Sequence, residues 1–127
     1  MPDARPAVLV ADDYPENRRL FSLYLRKAYD VVEAGTGEEV LARLAERPVA
    51  AALLDLNYQG GLTGFDVIRQ IRADAGLSGL PTIALTAHAG IEDRRRCLDA
   101  GFDAYLAKPV TRGEMLGALD RLLAQPA

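Results

Sequence analysis

Short apolar runs alternate with stretches of helical spacing from one end of the chain to the other. Ala7–Ala11 is wholly apolar, and so is Ala50-Ala51-Ala52-Leu53-Leu54. Runs apolar at every position suit strands buried on both faces. Asp30–Ala34, Thr82–Thr86 and Ala104–Ala107 supply three further short strands. Between them lie helical stretches. Pro15 opens the first, at a position where its missing N–H costs nothing, and Leu20, Phe21, Tyr24, Leu25 and Ala28 follow at helical spacing. Thr36-Gly37-Glu38-Glu39 and Thr111-Arg112-Gly113-Glu114 each place a carboxylate three residues after a hydroxyl, the pattern of a capping box. Thr63-Gly64-Phe65-Asp66 is a weaker version, opening a helix to about Asp74. Gly101 closes a helix that starts near Ile91. The last helix runs to about Ala124, with Met115, Leu116, Leu119, Leu122 and Leu123 on one face.

Five such β/α units predict an α/β fold: a single doubly wound (βα)5 parallel sheet with helices on both faces. The flavodoxin-like strand order 2-1-3-4-5 is one of the two common choices, and its binding crevice lies beyond the carboxyl ends of the strands. The 127 residues fit one domain, 1–127, with an ordered core at about 6–124.

That crevice is where the polar residues become informative. Asp12 and Asp13 follow the first run, Asp55 ends the third, Thr86 ends the fourth, and Lys108-Pro109 follows the fifth. Each has an ordinary reading taken alone. Two acids after a strand start a turn, and Asp13 could cap the helix at Pro15. Lysines are mostly solvated. A threonine suits a strand, and Tyr105 is a packing aromatic. Taken together, three carboxylates at one sheet edge repel one another unless a hard cation relieves them. Mg²⁺ does so while keeping sites for water and phosphate oxygens. Lys108 would add a second positive charge, and the Lys108-Pro109 bond is a candidate cis peptide.

Composition narrows the alternatives. The formal net charge is −3, against a dedicated nucleic-acid surface. Cys97 is the one cysteine, which excludes an internal disulfide and a cysteine metal cluster. No apolar stretch reaches membrane-spanning length and no signal-peptide layout opens the chain, so a cytoplasmic protein is expected. Arg94-Arg95-Arg96 reads as the wet face of a helix.

The ordered set Asp12-Asp13, Asp55, Thr86-Ala87, Tyr105 and Lys108-Pro109 resembles that of bacterial two-component response-regulator receiver domains, the CheY-like family, over essentially the whole chain. The resemblance implies that Asp55 is the phosphoacceptor. It implies a metal site of Asp12, Asp13, Asp55 and the backbone carbonyl of Asn57, with Mg²⁺ as the ion and Mn²⁺ as a substitute. Lys108, Thr86 and Ala87 would bind the phosphoryl group, Thr86 and Tyr105 would form the switch pair, and Asn57 and His88 would tune rates. It further implies a sensor histidine kinase or histidine phosphotransfer protein as donor. A downstream protein target would meet the face of the fourth helix, fifth strand and fifth helix. Neither nucleic acid nor membrane would be contacted directly, and the chain would be a monomer or a weak phosphorylation-dependent dimer. With no output segment after the last helix, a stand-alone receiver is expected, against a piece of a larger regulator or hybrid kinase. One departure is visible: Asn57-Tyr58-Gln59-Gly60-Gly61-Leu62-Thr63-Gly64 is about one residue longer than the family's loop, with glycines in the proline region.

Three rival readings differ in testable ways. A haloacid-dehalogenase-like phosphatase would need an acid two residues after the nucleophile, where Asn57 stands. A flavodoxin-like FMN carrier would not place Asp12 and Asp13 in its phosphate loop. A receiver-shaped module that is never phosphorylated would lack part of the site, and no part is missing.

Overall fold

A computed structural model describes residues 5–58, 61–87 and 90–124. The five strands are β1 (Ala7–Ala11), β2 (Asp30–Ala34), β3 (Ala51–Asp55), β4 (Thr82–Thr86) and β5 (Ala104–Ala107). They alternate with helices α1 (Pro15–Leu25), α2 (Gly37–Glu46), α3 (Gly64–Ala73), α4 (Ile91–Ala100) and α5 (Arg112–Leu123). All strand pairs are parallel, in the order β2-β1-β3-β4-β5. The doubly wound flavodoxin-like fold expected from the sequence is therefore the fold found.

Alternation within each strand splits the core in two, because successive side chains leave opposite faces of a sheet. Leu9, Ala52, Leu54 and Ala84 face Val40, Leu44, Val67, Ile68, Ile71 and Cys97, which belong to α2, α3 and α4. Val8, Val10, Leu53, Ile83 and Leu85 face Phe21, Leu25, Met115, Ala118 and Leu119 of α1 and α5. The three central strands β1, β3 and β4 are buried throughout. Full burial on both faces is why their sequences do not alternate.

Several local expectations change. Ala28 lies beyond α1, whose last helical residue is Leu25, and its N–H closes a turn onto the Leu25 carbonyl at 3.0 Å. Asp13 does not cap α1; Tyr14 holds the cap position, without a side-chain cap bond. Thr36 caps α2 through the Glu39 N–H, but the Glu39 carboxylate accepts from Gly35 N–H at 2.6 Å, so the box is displaced by one residue. The weaker motif at Thr63 is a complete capping box, as is the one at Thr111. Asp55 is the last residue of β3 itself, and the strand begins at Ala51.

Candidate functional site

The carboxyl ends of β1, β3 and β5 converge on one pocket. Parallel pairing sets this up: Ala11 stands opposite Leu54, and Thr86 opposite Ala107. The residues that follow these positions then leave the sheet at similar heights. Asp12, Asp13 and Asp55 each bring a carboxylate oxygen into a group whose members lie within 4.8 Å of one another.

Asp12 is fully buried and held from several sides. Its N–H donates to the Ala34 carbonyl at 3.1 Å, extending the sheet by one bond. Its Oδ1 accepts the Tyr14 N–H at 2.9 Å, and its Oδ2 accepts the Lys108 ammonium at 2.8 Å. Asn17 Nδ2 approaches both oxygens at 3.3–3.4 Å. The Arg18 guanidinium donates to the Asp12 carbonyl at 2.7 Å and pairs with Glu33 at 3.5 Å. Asp12 is thus fixed before any ligand arrives.

Asp55 is held by fewer contacts. Its Oδ1 accepts the Asn57 N–H at 3.1 Å and its Oδ2 the Lys108 ammonium at 3.0 Å. Burial pushes the Asp55 carboxyl above its ordinary pKa; the Asn57 N–H and the Lys108 ammonium oppose that rise, and the Asp12 charge adds to it. Lys108 bridges two carboxylates. Burial works to lower its pKa, but the hydrogen bonds and charges of Asp12 and Asp55 outweigh burial and hold it above the usual lysine range. The Lys108-Pro109 peptide is cis.

Asp13 completes the group differently. Its Oδ1 is buried and has no hydrogen-bond partner. An orphaned carboxylate oxygen beside two more carboxylates, with one ammonium among them, is a donor set of hard oxygens that suits a divalent cation.

A cavity of about 290 Å³ opens over these groups, lined by Asp13, Tyr14, Asp55, Asn57, Tyr58, Ala87 and Lys108. Thr86 is buried at the end of β4, and Ala87 is exposed at the cavity wall. Tyr105 is half-buried, with the Arg94 guanidinium over its ring at 5.9 Å from the centroid. Arg94, Arg95 and Arg96 are all exposed, and Arg96 lies over Phe65 at 5.1 Å. His88 lies outside the described residues, so no geometry is assigned to it.

The start of α3 meets the end of β3 in an approach that only glycine allows. A Cβ on Gly64 would sit 2.4 Å from the Asp55 carbonyl oxygen and 2.8 Å from Leu56 Cα. The Gly64 N–H donates to the Leu56 carbonyl at 2.9 Å, tying the start of α3 to the end of β3. The chain leads into α3 through Gly61, at φ 70°, where glycine is strongly favoured. Glu38 of α2 accepts the Leu62 N–H at 3.3 Å and anchors the loop's far end. Gln59 and Gly60 lie outside the described residues.

Sequence reasoning missed Tyr58. Its one signal in the sequence is its position directly after Asn57. Its ring packs against the α2–α3 face of the core, and its hydroxyl is buried with no hydrogen-bond partner. Burial first, then the charges of Asp55, Asp12 and Asp13, raises its pKa well above the usual tyrosine value. The Asp55 backbone opposes that rise without closing a hydrogen bond.

Comparison with known proteins gives the family. Residues 8–120 match the response regulator receiver domain family, and the chain belongs to it. The chain is 36% identical to the sensory/regulatory protein RpfC of Xanthomonas campestris over 94% of its own length and 18% of that protein. It is 37% identical to the sensor histidine kinase RcsC of Salmonella typhi over 92% of its length and 12% of that protein. It therefore spans less than a fifth of these relatives. Among solved structures, the receiver domain of the sensor histidine kinase PA1611 from Pseudomonas aeruginosa superposes with a TM-score of 0.87 at 33% identity, covering 96% of this chain and all of that one. That structure has a magnesium ion coordinated in its active site cleft. CheY4 of Vibrio cholerae superposes with a TM-score of 0.87 at 28% identity, over 94% of this chain and 100% of that one.

Proposed function

We propose that this receiver accepts a phosphoryl group on Asp55 from a phosphohistidine of a sensor histidine kinase or histidine phosphotransfer protein. One observation carries the reading: three carboxylates gathered within 4.8 Å, with the Lys108 ammonium joining two of them. Asp12, Asp13, Asp55 and the Asn57 carbonyl would hold Mg²⁺, or Mn²⁺ in its place. The ion would supply charge neutralisation and polarise the phosphoryl oxygens.

The chain's own residues then do the following. Asp55, held at one oxygen by the Asn57 N–H and at the other by Lys108, presents a carboxylate oxygen to the incoming phosphorus. The O–P bond forms as the P–N bond to the donor imidazole breaks, and the imidazole leaves with its electron pair. Lys108 exchanges its Asp55 contact for a phosphoryl oxygen and keeps its contact with Asp12. Little covalent work is required of the protein, so positioning and charge carry the rate. Thr86 and Ala87 bound the space the phosphoryl oxygens enter, and Ala87 leaves room there. Thr86 then moves toward the phosphoryl group and Tyr105 turns inward from beneath Arg94. This biases the α4–β5–α5 face toward its partner-binding state, a population shift driven by contacts present only after phosphorylation. Water later hydrolyses the acyl phosphate, with Asn57 and His88 setting the rate.

In this reading the chain catalyses only its own phosphorylation and dephosphorylation, and residues 1–127 act as one receiver unit in the cytoplasm. No helix among the described residues is long and apolar enough to cross a membrane. The stand-alone form is also proposed; the curated relatives match over a fraction of longer proteins, so the size of the native protein in its source cells tests that part. The function itself is tested with Mg²⁺ and acetyl phosphate. The wild-type chain should gain an acid-stable, base-labile phosphoryl label that EDTA prevents. An unlabelled wild type, or a labelled Asp55→Asn, would overturn it.

A further inference from the structure

Among the described residues, two buried side-chain polar atoms lack a hydrogen-bond partner, Asp13 Oδ1 and the Tyr58 hydroxyl oxygen. Both residues line the same cavity. We propose that Tyr58 is a positioning residue of the metal site, its hydroxyl oxygen accepting a hydrogen bond from a water bound to the cation that the three aspartates hold.

The chemistry of the two orphans supports one shared solution. A carboxylate oxygen can only accept, and a cation satisfies it directly. A phenol hydroxyl can accept as well as donate. Mg²⁺ keeps several of its waters when it binds protein. Those waters are acidified by the ion and are strong donors. One hydrated cation thus satisfies Asp13 Oδ1 by ligation and Tyr58 through its water shell.

Packing alone does not explain the hydroxyl. The ring packs against one of the two core clusters, which phenylalanine would also do. A buried hydroxyl without a partner costs about 1–3 kcal/mol. That cost is removed if the metal-loaded state supplies the partner. Tyr58 also follows Asn57 directly, so the backbone that carries the proposed carbonyl ligand carries the phenol too.

This inference rests on the proposed metal site, and the experiment separates the two. Mg²⁺ alone, with no phosphodonor, is titrated calorimetrically into the wild-type chain and into Tyr58→Phe, and both are melted in EDTA. Tyr58→Phe should bind Mg²⁺ about fivefold more weakly, the loss of roughly one hydrogen bond. Its metal-free melting temperature should be equal or higher, because an unpartnered polar atom has been removed. A merely structural tyrosine would give the reverse: unchanged affinity and a lower melting temperature. Equal Mg²⁺ affinity in the two proteins overturns the role of Tyr58 and leaves the metal site standing. No binding to the wild type overturns both. Should Tyr58→Phe fail to fold, the wild-type chain decides through the ¹³Cζ resonance of Tyr58. That resonance shifts on Mg²⁺ addition if the hydroxyl gains a partner, and its failure to move, with Mg²⁺ bound, rejects the inference.

Discussion

The two ends of the sheet carry similar groups arranged to opposite effect. At the amino ends of β4 and β5, Arg72 donates to the carbonyls of Gly101, Ser78 and Leu80 and to the Thr82 hydroxyl, and pairs with Asp103 at 3.1 Å. Asp103 in turn accepts the Thr82 N–H at 2.8 Å. One cation there meets one carboxylate, and its remaining donors meet neutral acceptors. At the carboxyl ends, one ammonium meets two of three carboxylates, and Asp13 Oδ1 has no partner. The first end is a completed structural pin. The second is an excess of negative charge that the fold tolerates because its walls are fixed elsewhere; such an excess suits a cation, and in the proposed function a phosphoryl group could enter only once that cation offsets it.

The largest expected effect that would break this contrast is in labelling. Asp55→Asn should abolish the acetyl-phosphate label, whereas Arg72→Ala should keep it in the fraction that folds. Autoradiography after gel filtration checks both, and a label lost in both variants would mean that the two ends are not functionally separate.

Stability should show the opposite pattern. Arg72→Ala leaves several part-buried acceptors without their donor, so it should cost about 2–4 kcal/mol in urea unfolding. A loss under 1 kcal/mol would remove the pin from the account.

Metal-free stability sharpens the comparison further. A carboxyl whose folded pKa is raised disfavours the fold when ionised, and the fold regains that stability as pH drops through the folded value. Burial holds Asp55 on that side. Asp55→Asn should therefore raise the melting temperature in EDTA by a few degrees at neutral pH. The gain should shrink as the buffer is acidified. A lower melting temperature at pH 7 would show that the Lys108 contact outweighs the burial of charge.

The smallest effects belong to the helix starts, whose cap bonds involve none of Asp12, Asp13, Asp55 and Lys108. Thr63→Ala and Thr111→Ala should each cost about 1 kcal/mol. Asp66 and Glu114 are held below their ordinary pKa by backbone hydrogen bonds from Thr63 and Thr111. The sign is opposite to that of Asp55: their contribution is present above the ordinary carboxylate value and is lost as pH falls through the lower folded one. Acid titration of melting temperature should show this loss in the wild type and not in the double variant.

Several elements were legible before any coordinates because their signals are local. The apolar runs, Pro15, Gly101 and the threonine-acid boxes each express a backbone preference that few neighbours can override. The full box at Thr63 is less legible, because Asp is a shorter partner than Glu and its reach depends on the turn that α3 adopts. Ala28 keeps the helical spacing yet lies beyond α1, since periodicity shows where apolar faces recur and not where a helix ends.

The order of acids and lysine along the chain places Asp12, Asp13, Asp55 and Lys108 at one edge, because parallel strands carry their ends there whatever lies between. What sits against what at that edge needed three dimensions. The Arg18 hold on Asp12, the Gly64 approach to Asp55 and the orphaned hydroxyl of Tyr58 all depend on side-chain direction and on packing between distant segments. A linear pattern fixes the period of a strand or helix, but contact across elements is set by how whole layers pack. Only the folded chain could therefore reveal which polar atoms find a partner and which are left waiting for one.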